Sequence, residues 1–214
     1  MDSVSGVGVL DKAMAVLAAV EGEPRSLAEL VAATGLPRPT AHRLAVALEA
    51  HGLVRRDAQG RFCLGLRLIA LGHEAAEALP VWAAARPTLA WLLGETGESV
   101  QLFVRDGADR VCVESLESTR ELRTIVPVGA RLPLTAGSAA RVLLGEAGPD
   151  GWVASVAERE EGVASVSAPV RAPSGEVLAA VSVSGPIHRL GDHPGERFGS
   201  AVAEAARRIG SAIR

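Results

Sequence analysis

Between residues 26 and 63 the spacing of apolar residues changes repeatedly, and each change marks an element. Ser26 and Glu29 stand at the S-x-x-E spacing of a capping box, where a hydroxyl and a carboxylate satisfy the free N–H groups that open a helix. The pattern predicts a helix beginning at Leu27 and stopping at Thr34-Gly35, a tight turn, and Leu36 packed inward. Pro37 and Pro39 suit the first turn of a second helix, whose inward face reads Leu44, Ala47, Leu48 and His51. Two apolar-alternating runs, residues 53–56 and 61–64, then flank the turn Asp57-Ala58-Gln59-Gly60 and predict a hairpin. Helix, turn, helix and hairpin in that order are the layout of a winged helix-turn-helix. Upstream, residues 8–21 set Leu10, Met14, Leu17, Ala18 and Val20 on one helical stripe, predicted to form the first helix beneath it.

Past the hairpin the helical spacing returns at Leu66, Leu68, Ile69 and Leu71, and again at Trp82, Leu89, Trp91, Leu92 and Leu93, with breaks expected near Pro80 and Pro87. This is read as a linker helix whose apolar surface packs against a second subunit. From Glu98 the period becomes two: Val100, Leu102 and Val104, a turn at residues 106–109, then Val111, Val113 and Ser115. A third strand is expected at residues 122–126, ending at Pro127-Val128-Gly129, and a short helix at 136–144. Strands follow at 162–170 and 177–184, joined by Pro173-Ser174-Gly175, before a last helix over 195–213 with Phe198, Val202, Ala205 and Ile209 inward. The fold class is therefore α+β. The expected domains are a winged helix-turn-helix at 1–65, a linker helix at 66–80 and a mixed α/β domain at 81–214.

Charge sharpens the picture. From residue 36 to residue 67 there are six arginines against Glu49 and Asp57, whereas the whole chain of 214 residues carries −3. A local basic footprint on an acidic chain points to a double-stranded DNA face, because phosphate contact is the electrostatic part of DNA affinity. The candidate contacts are Ser26, Arg38, Pro39, Thr40, His42, Arg43, Arg55 and Arg61, most of them at the start of the second helix, where such helices touch base edges.

Composition excludes other classes. Hydrophobic residues make up 48% and charged residues 22%, as in an ordinary globular chain, and no apolar run approaches a membrane span. Met1-Asp2-Ser3-Val4-Ser5 has no basic leader region, so a cytoplasmic protein is expected. Cys63 and Cys112 fall in different domains with no zinc spacing, so no metal or cofactor is called for. Gly6-Val7-Gly8 lacks the preceding strand and third glycine of a nucleotide loop. No catalytic residue is assigned: Gly137-Ser138 is not a nucleophile elbow, Lys12 is the sole lysine, and His188 and His193 sit in a Pro/Gly-rich loop.

The stretches GLPRPTAHRLAVALEAHGLV, TGESVQLFVRDG, VGARLPLTAGSAARVLL, EGVASVSAPV and AAVSVSGPIHRL, in that order, resemble the IclR family of transcriptional regulators over nearly the whole chain. The wording also resembles an actinobacterial subgroup linked to amino-acid, including leucine, metabolism. The resemblance implies a GAF-like effector domain, self-association as a dimer or tetramer, and an effector pocket lined here by Leu132, Ser138, Ala139, Ser165, Ser182 and Ser184. Serine hydroxyls donate without burying a charge, so a small organic acid or amino-acid-related effector fits the lining. The alternative is a DNA-binding dimer whose C-terminal domain is purely structural. Similar regulators carry about thirty further residues after the helix ending at Leu144, a helical lid longer than ordinary loops; here six residues separate Leu144 from Gly151.

Overall fold

A computed structural model describes residues 5–213; the first four residues, on which the absence of a leader was read, lie outside it. The chain divides into two compact units, Met1–Ala75 and Ala76–Arg214.

In the first unit α1 (Gly8–Ala18), α2 (Leu27–Thr34) and α3 (Arg38–Ala50) precede a two-stranded wing, β1 (Val54–Arg56) and β2 (Phe62–Leu64). The capping box is present: Ser26 Oγ accepts from Glu29 N at 3.3 Å and Glu29 Oε2 accepts from Ser26 N at 2.7 Å. Gly35 closes α2 at φ 65°, a left-handed conformation that a side chain would strain. Val16, Val20, Leu30, Leu36, Ala41, Leu44, Ala45, Leu48, Val54 and Phe62 form the core. Five expected inward positions are exposed instead. On α3, Ala41 and Ala45 face in, while Ala47 and His51 are exposed, so the buried stripe is the expected pattern set three residues earlier. On α1, Leu10, Met14 and Ala18 are exposed, and the helix meets the core through Ala13, Val16 and Leu17.

α4 (Arg67–Glu77) buries none of its residues, and the division between the units falls in its last turn. In the second unit α5 (Pro80–Thr96) runs unbroken through Pro87, contrary to the expected break. The missing proline N–H frees only the carbonyl of Ala83, and both residues are exposed, where the freed group does not have to be buried unpaired. There follow β3 (Ser99–Asp106), β4 (Asp109–Leu116), β5 (Arg131–Pro133), α6 (Ser138–Leu143), β6 (Val153–Val156), β7 (Val163–Arg171), β8 (Val177–Pro186), α7 (Ile187–Leu190) and α8 (Pro194–Ala212). The strand expected at 122–126 is absent. The ladder with β4 forms at Arg131–Pro133 instead, after Pro127, which has no N–H to donate. β6 was not expected from the sequence, and the loop holding His188 contains the single turn α7.

The six strands are antiparallel in the order β5-β4-β3-β8-β7-β6. Period-two alternation divides the sheet into two faces. Val100, Leu102, Val181, Val183, Ala164, Val166 and Ala168 pack under α5 and α8. The opposite face carries Phe103, Cys112, Ala180 and Val153 beneath α6, and beside them a polar field of Gln101, Ser182, Ser184, Ser165, Ser167 and Ser155. The short crossing after α6 is a folded loop, pinned where Trp152 lies against Gly195 and Gly199 of α8.

Candidate DNA interface and effector cleft

The first turn of α3 projects Arg38, Pro39, His42 and Arg43 outward, with Thr40 half-buried, because Ala41, Leu44 and Ala45 take the inward positions. Arg55 on β1 is likewise exposed. Arg38, Arg43 and Arg55 form no ion pair with a described residue, so their charges are available to a phosphate. Two expected contacts have structural duties. Ser26 caps α2, and Arg61 is held by Asp57 across the wing turn at 2.8 Å. The same turn holds the Asp57 carboxyl below its usual range, through hydrogen bonds from Arg61 and Gln59 that outweigh the opposing effect of burial. Glu49, on the same helix, ties α3 to the wing through Arg56 at 3.3 Å, and the Arg56 guanidinium lies 4.2 Å from the centre of the Phe62 ring. Gly65 lets β2 pass directly over Gly52: a Cβ there would stand 2.0 Å from the Gly52 carbonyl oxygen. The wing is thereby fixed to the C-terminal end of α3.

The serine face of the sheet and the start of α6 border a narrow cleft with a cavity volume of about 30 Å³, which opens to solvent. Leu132, Ser138, Ala139, Ser165, Ser182 and Ser184 all line it, brought together from β5, α6, β7 and β8. Ser138 Oγ lies 2.7 Å from both Ser165 Oγ and Ser167 Oγ, Ser155 Oγ is 3.0 Å from Ser165 Oγ, and Ser167 donates to Ser182 at 2.9 Å. Ser184 Oγ donates to Gln101 Oε1 at 2.9 Å. Ser138 therefore sits among hydroxyls, with neither histidine nor lysine beside it to activate a nucleophile.

Sequence reasoning missed the charged part of this wall. Arg110 of β4 lies within the cleft lining, donates from Nη1 to the Pro133 carbonyl at 2.5 Å and stacks 5.6 Å from the Phe103 ring centre. Burial, with Arg159 nearby as a second cation, pushes its pKa down to about 10. Gln101, Ser155 and Arg159 also line the cleft. A signal for Gln101 existed, a polar residue in the middle of an otherwise apolar strand; Arg110, beside a turn, resembled an ordinary surface charge. Arg159 and Glu160, paired at 3.2 Å on the turn between β6 and β7, border the mouth. Among the described residues no group of three His, Cys, Asp or Glu side chains is placed to hold a metal, and no helix is long and apolar enough to cross a membrane.

Residues 9–58 match the sequence profile of the IclR helix-turn-helix domain, and residues 73–150 and 146–211 match that of the bacterial transcriptional regulator IclR C-terminal domain. The chain belongs to the IclR family. The IclR C-terminal match falls in two pieces that meet at residues 146–150, where the lid segment was expected. Among IclR-family relatives, KipR of Bacillus subtilis is 39% identical over 62% of this chain and 54% of its own length, so the match spans about half of that regulator. The transcriptional repressor IclR of Escherichia coli is 25% identical over 86% of this chain and 81% of its own. The repressor AllR of E. coli is 26% identical over 246 aligned positions that take in 97% of these 214 residues, which leaves roughly forty positions without a counterpart here. Among solved structures, a transcriptional regulator from Rhodococcus sp. RHA1 superposes with a TM-score of 0.82 at 26% identity, covering 97% of this chain and 98% of its own. An IclR homologue from Microbacterium hydrocarbonoxydans, complexed with 4-hydroxybenzoate, superposes at 0.83 with 23% identity, covering 96% and 99%.

Proposed function

We propose that this IclR-family chain is a ligand-responsive regulator that reads a double-stranded DNA operator with α3 and the wing, and senses a small metabolite in the cleft of its C-terminal unit. The observation that carries the DNA half is the set of exposed, unpaired cations Arg38, Arg43 and Arg55 on an acidic chain. The sensing half rests on the serine cleft and on the 4-hydroxybenzoate complex of the Microbacterium homologue. A small organic acid or amino-acid-related effector, target genes of amino-acid metabolism, the actinobacterial leucine-linked subgroup and a place in the cytoplasm belong to this reading. So does the absence of catalysis, which the regulator and repressor roles of the relatives support. The apolar residues exposed on α1 (Val9, Leu10, Met14) and on α4 (Ile69, Leu71) suit self-association, with residues 66–80 as linker. Leu71→Asp is expected to split such a dimer in light scattering.

The test is operator binding as a function of salt. Each phosphate contact contributes about 0.9 to the slope of log K against log salt, so Arg43→Ala should reduce that slope by about one. An unchanged slope with unchanged affinity would remove Arg43 from the interface. A C-terminal unit that only dimerises would show no thermal shift with any metabolite, whereas a sensed ligand at a hundredfold excess over Kd stabilises by roughly 2.7 kcal/mol.

A further inference from the structure

The serine cleft is too small for what the proposed function asks of it. Its cavity of about 30 Å³ holds about one or two water molecules, whereas small-molecule sites usually span about 300–1,000 Å³. Part of the wall has to move before a metabolite can enter. Most of that wall is fixed. Gln101, Ser182 and Ser184 are buried in the central strand ladders, and Ser138 is fully buried at the start of α6, hydrogen-bonded to Ser165 and Ser167. The exception is the turn between β6 and β7. Residues 157–162 are all exposed, and two of them, Arg159 and Glu160, line the cleft.

The two ends of this turn differ. Gly162 is anchored, its carbonyl accepting from the Ile187 N–H at 2.8 Å. Ala157, at the other end, has φ 56°, and among the described residues it is the only non-glycine with a positive φ. In that left-handed region a Cβ crowds the following carbonyl oxygen, so the conformation persists only where other contacts hold it. Here they come from Glu158. Its Oε2 accepts from the Gly137 N–H at 3.1 Å, just ahead of α6, and its Oε1 lies 3.4 Å from Arg141 Nη1. Arg141 is itself held, pairing with Glu146 at 2.8 Å and donating to the Ala154 carbonyl of β6 at 3.2 Å. Resting on the reading of this cleft as the effector site, we propose that residues 158–161 form a flap that shuts the cleft, hinged at Ala157 and fastened to α6 by Glu158. With the fastening intact the cavity stays at the size of a water. Once it is released, the strained hinge relaxes and carries Arg159 and Glu160 clear of the mouth. Glu158 favours the shut position and Ala157 the open one, and that opposition makes the turn a two-position element.

The experiment reads access to the cleft without an effector. Ser182→Cys in the full chain places a thiol on the buried wall, methyl methanethiosulfonate is the probe, and labelled peptides are located by mass. Where opening and closing are fast, the labelling rate follows the open fraction. Added to that chain, Glu158→Ala should raise the rate about tenfold or more, and Glu158→Gln, which keeps an acceptor for the Gly137 N–H, should raise it less. Ala157→Gly should act the other way and slow labelling about threefold, because glycine takes a positive φ without strain. Cys112, fully buried beneath α6, is the internal control, and its own labelling should stay the same in every variant. An unchanged rate in Glu158→Ala, faster labelling in Ala157→Gly, or acceleration of Cys112 in step with the introduced thiol would each overturn the flap. So would labelling of the Ser182→Cys chain, flap intact, at the rate of an unfolded chain. None of these outcomes touches the sensing function, which fails separately if no metabolite shifts the melting of a chain whose flap opens.

Discussion

The cleft should be held together at the expense of stability, and Arg110→Met measures by how much. Burial pulls the Arg110 guanidinium from its ordinary, far more basic range down to about 10 in the folded chain, with the nearby Arg159 cation adding to the effect. At about 1.36 kcal/mol for each tenfold change in proton affinity, carrying that charge at neutral pH costs the folded state on the order of 3 kcal/mol. Methionine removes the charge and keeps most of the apolar stem. What is lost is the bond to the Pro133 carbonyl, about 1 kcal/mol, and the stacking on Phe103, roughly 0.5–1 kcal/mol. Pro133 is exposed, so its carbonyl can bind water instead. The net is a gain of about 1–2 kcal/mol, or roughly 4–8 °C in the melting of the C-terminal unit at this size. The sign with pH follows from the lowered value. The folded chain holds this proton less tightly than the unfolded one, so the cost is present below about 10 and fades as the pH rises through it toward the ordinary guanidinium range. The advantage of Arg110→Met should therefore be full at pH 7.5 and shrink above pH 10, where the titration of Cys112 is common to both proteins and cancels in their difference. Calorimetric melting of the unliganded protein reads both. A lower Tm for the variant at neutral pH would refute the reasoning and make Arg110 a structural ion.

Ser26→Ala removes the hydroxyl half of the capping box and should cost about 1 kcal/mol of N-terminal unit stability in denaturant melts, while the salt slope of DNA binding stays as it was. Gly199→Ala places a Cβ 2.4 Å from the Trp152 indole and should destabilise the C-terminal unit by about 1–3 kcal/mol in the same melts; a neutral result would show that Trp152 has room to move. Burial pushes the Cys112 thiol from 9.0 up to about 12, so it should resist thiol reagents at pH 8 unless the chain is unfolded. Its stabilising contribution is complete below pH 9 and is lost as the pH rises through about 12, a decline that Cys112→Val should abolish in alkaline melts.

Much of this architecture was legible because the signals are local. The Ser26–Glu29 box, the Gly35 turn, the Asp57–Gly60 hairpin and the period-two runs of β3, β4, β7 and β8 each depend on residues a few positions apart, and backbone chemistry acts over that distance. The apolar stripe of α8 was likewise readable, since Phe198, Val202, Ala205 and Ile209 all lie buried where a 3.6-residue period places them. Pro87 was misjudged because a proline breaks a helix only where the carbonyl it frees cannot find water, and exposure is a tertiary property. The six cleft residues assigned by resemblance do line one space, yet the sequence is silent on the Arg110 and Gln101 donors that give that space its polarity. Residues 101, 110, 138, 167 and 182 become neighbours only through the strand order β4-β3-β8-β7 and the packing of α6 against that face. Whether a polar side chain is a solvated charge or an unmet donor depends on what is folded over it. Local sequence thus determined the elements, and the tertiary fold alone decided which polar groups were shut away from water.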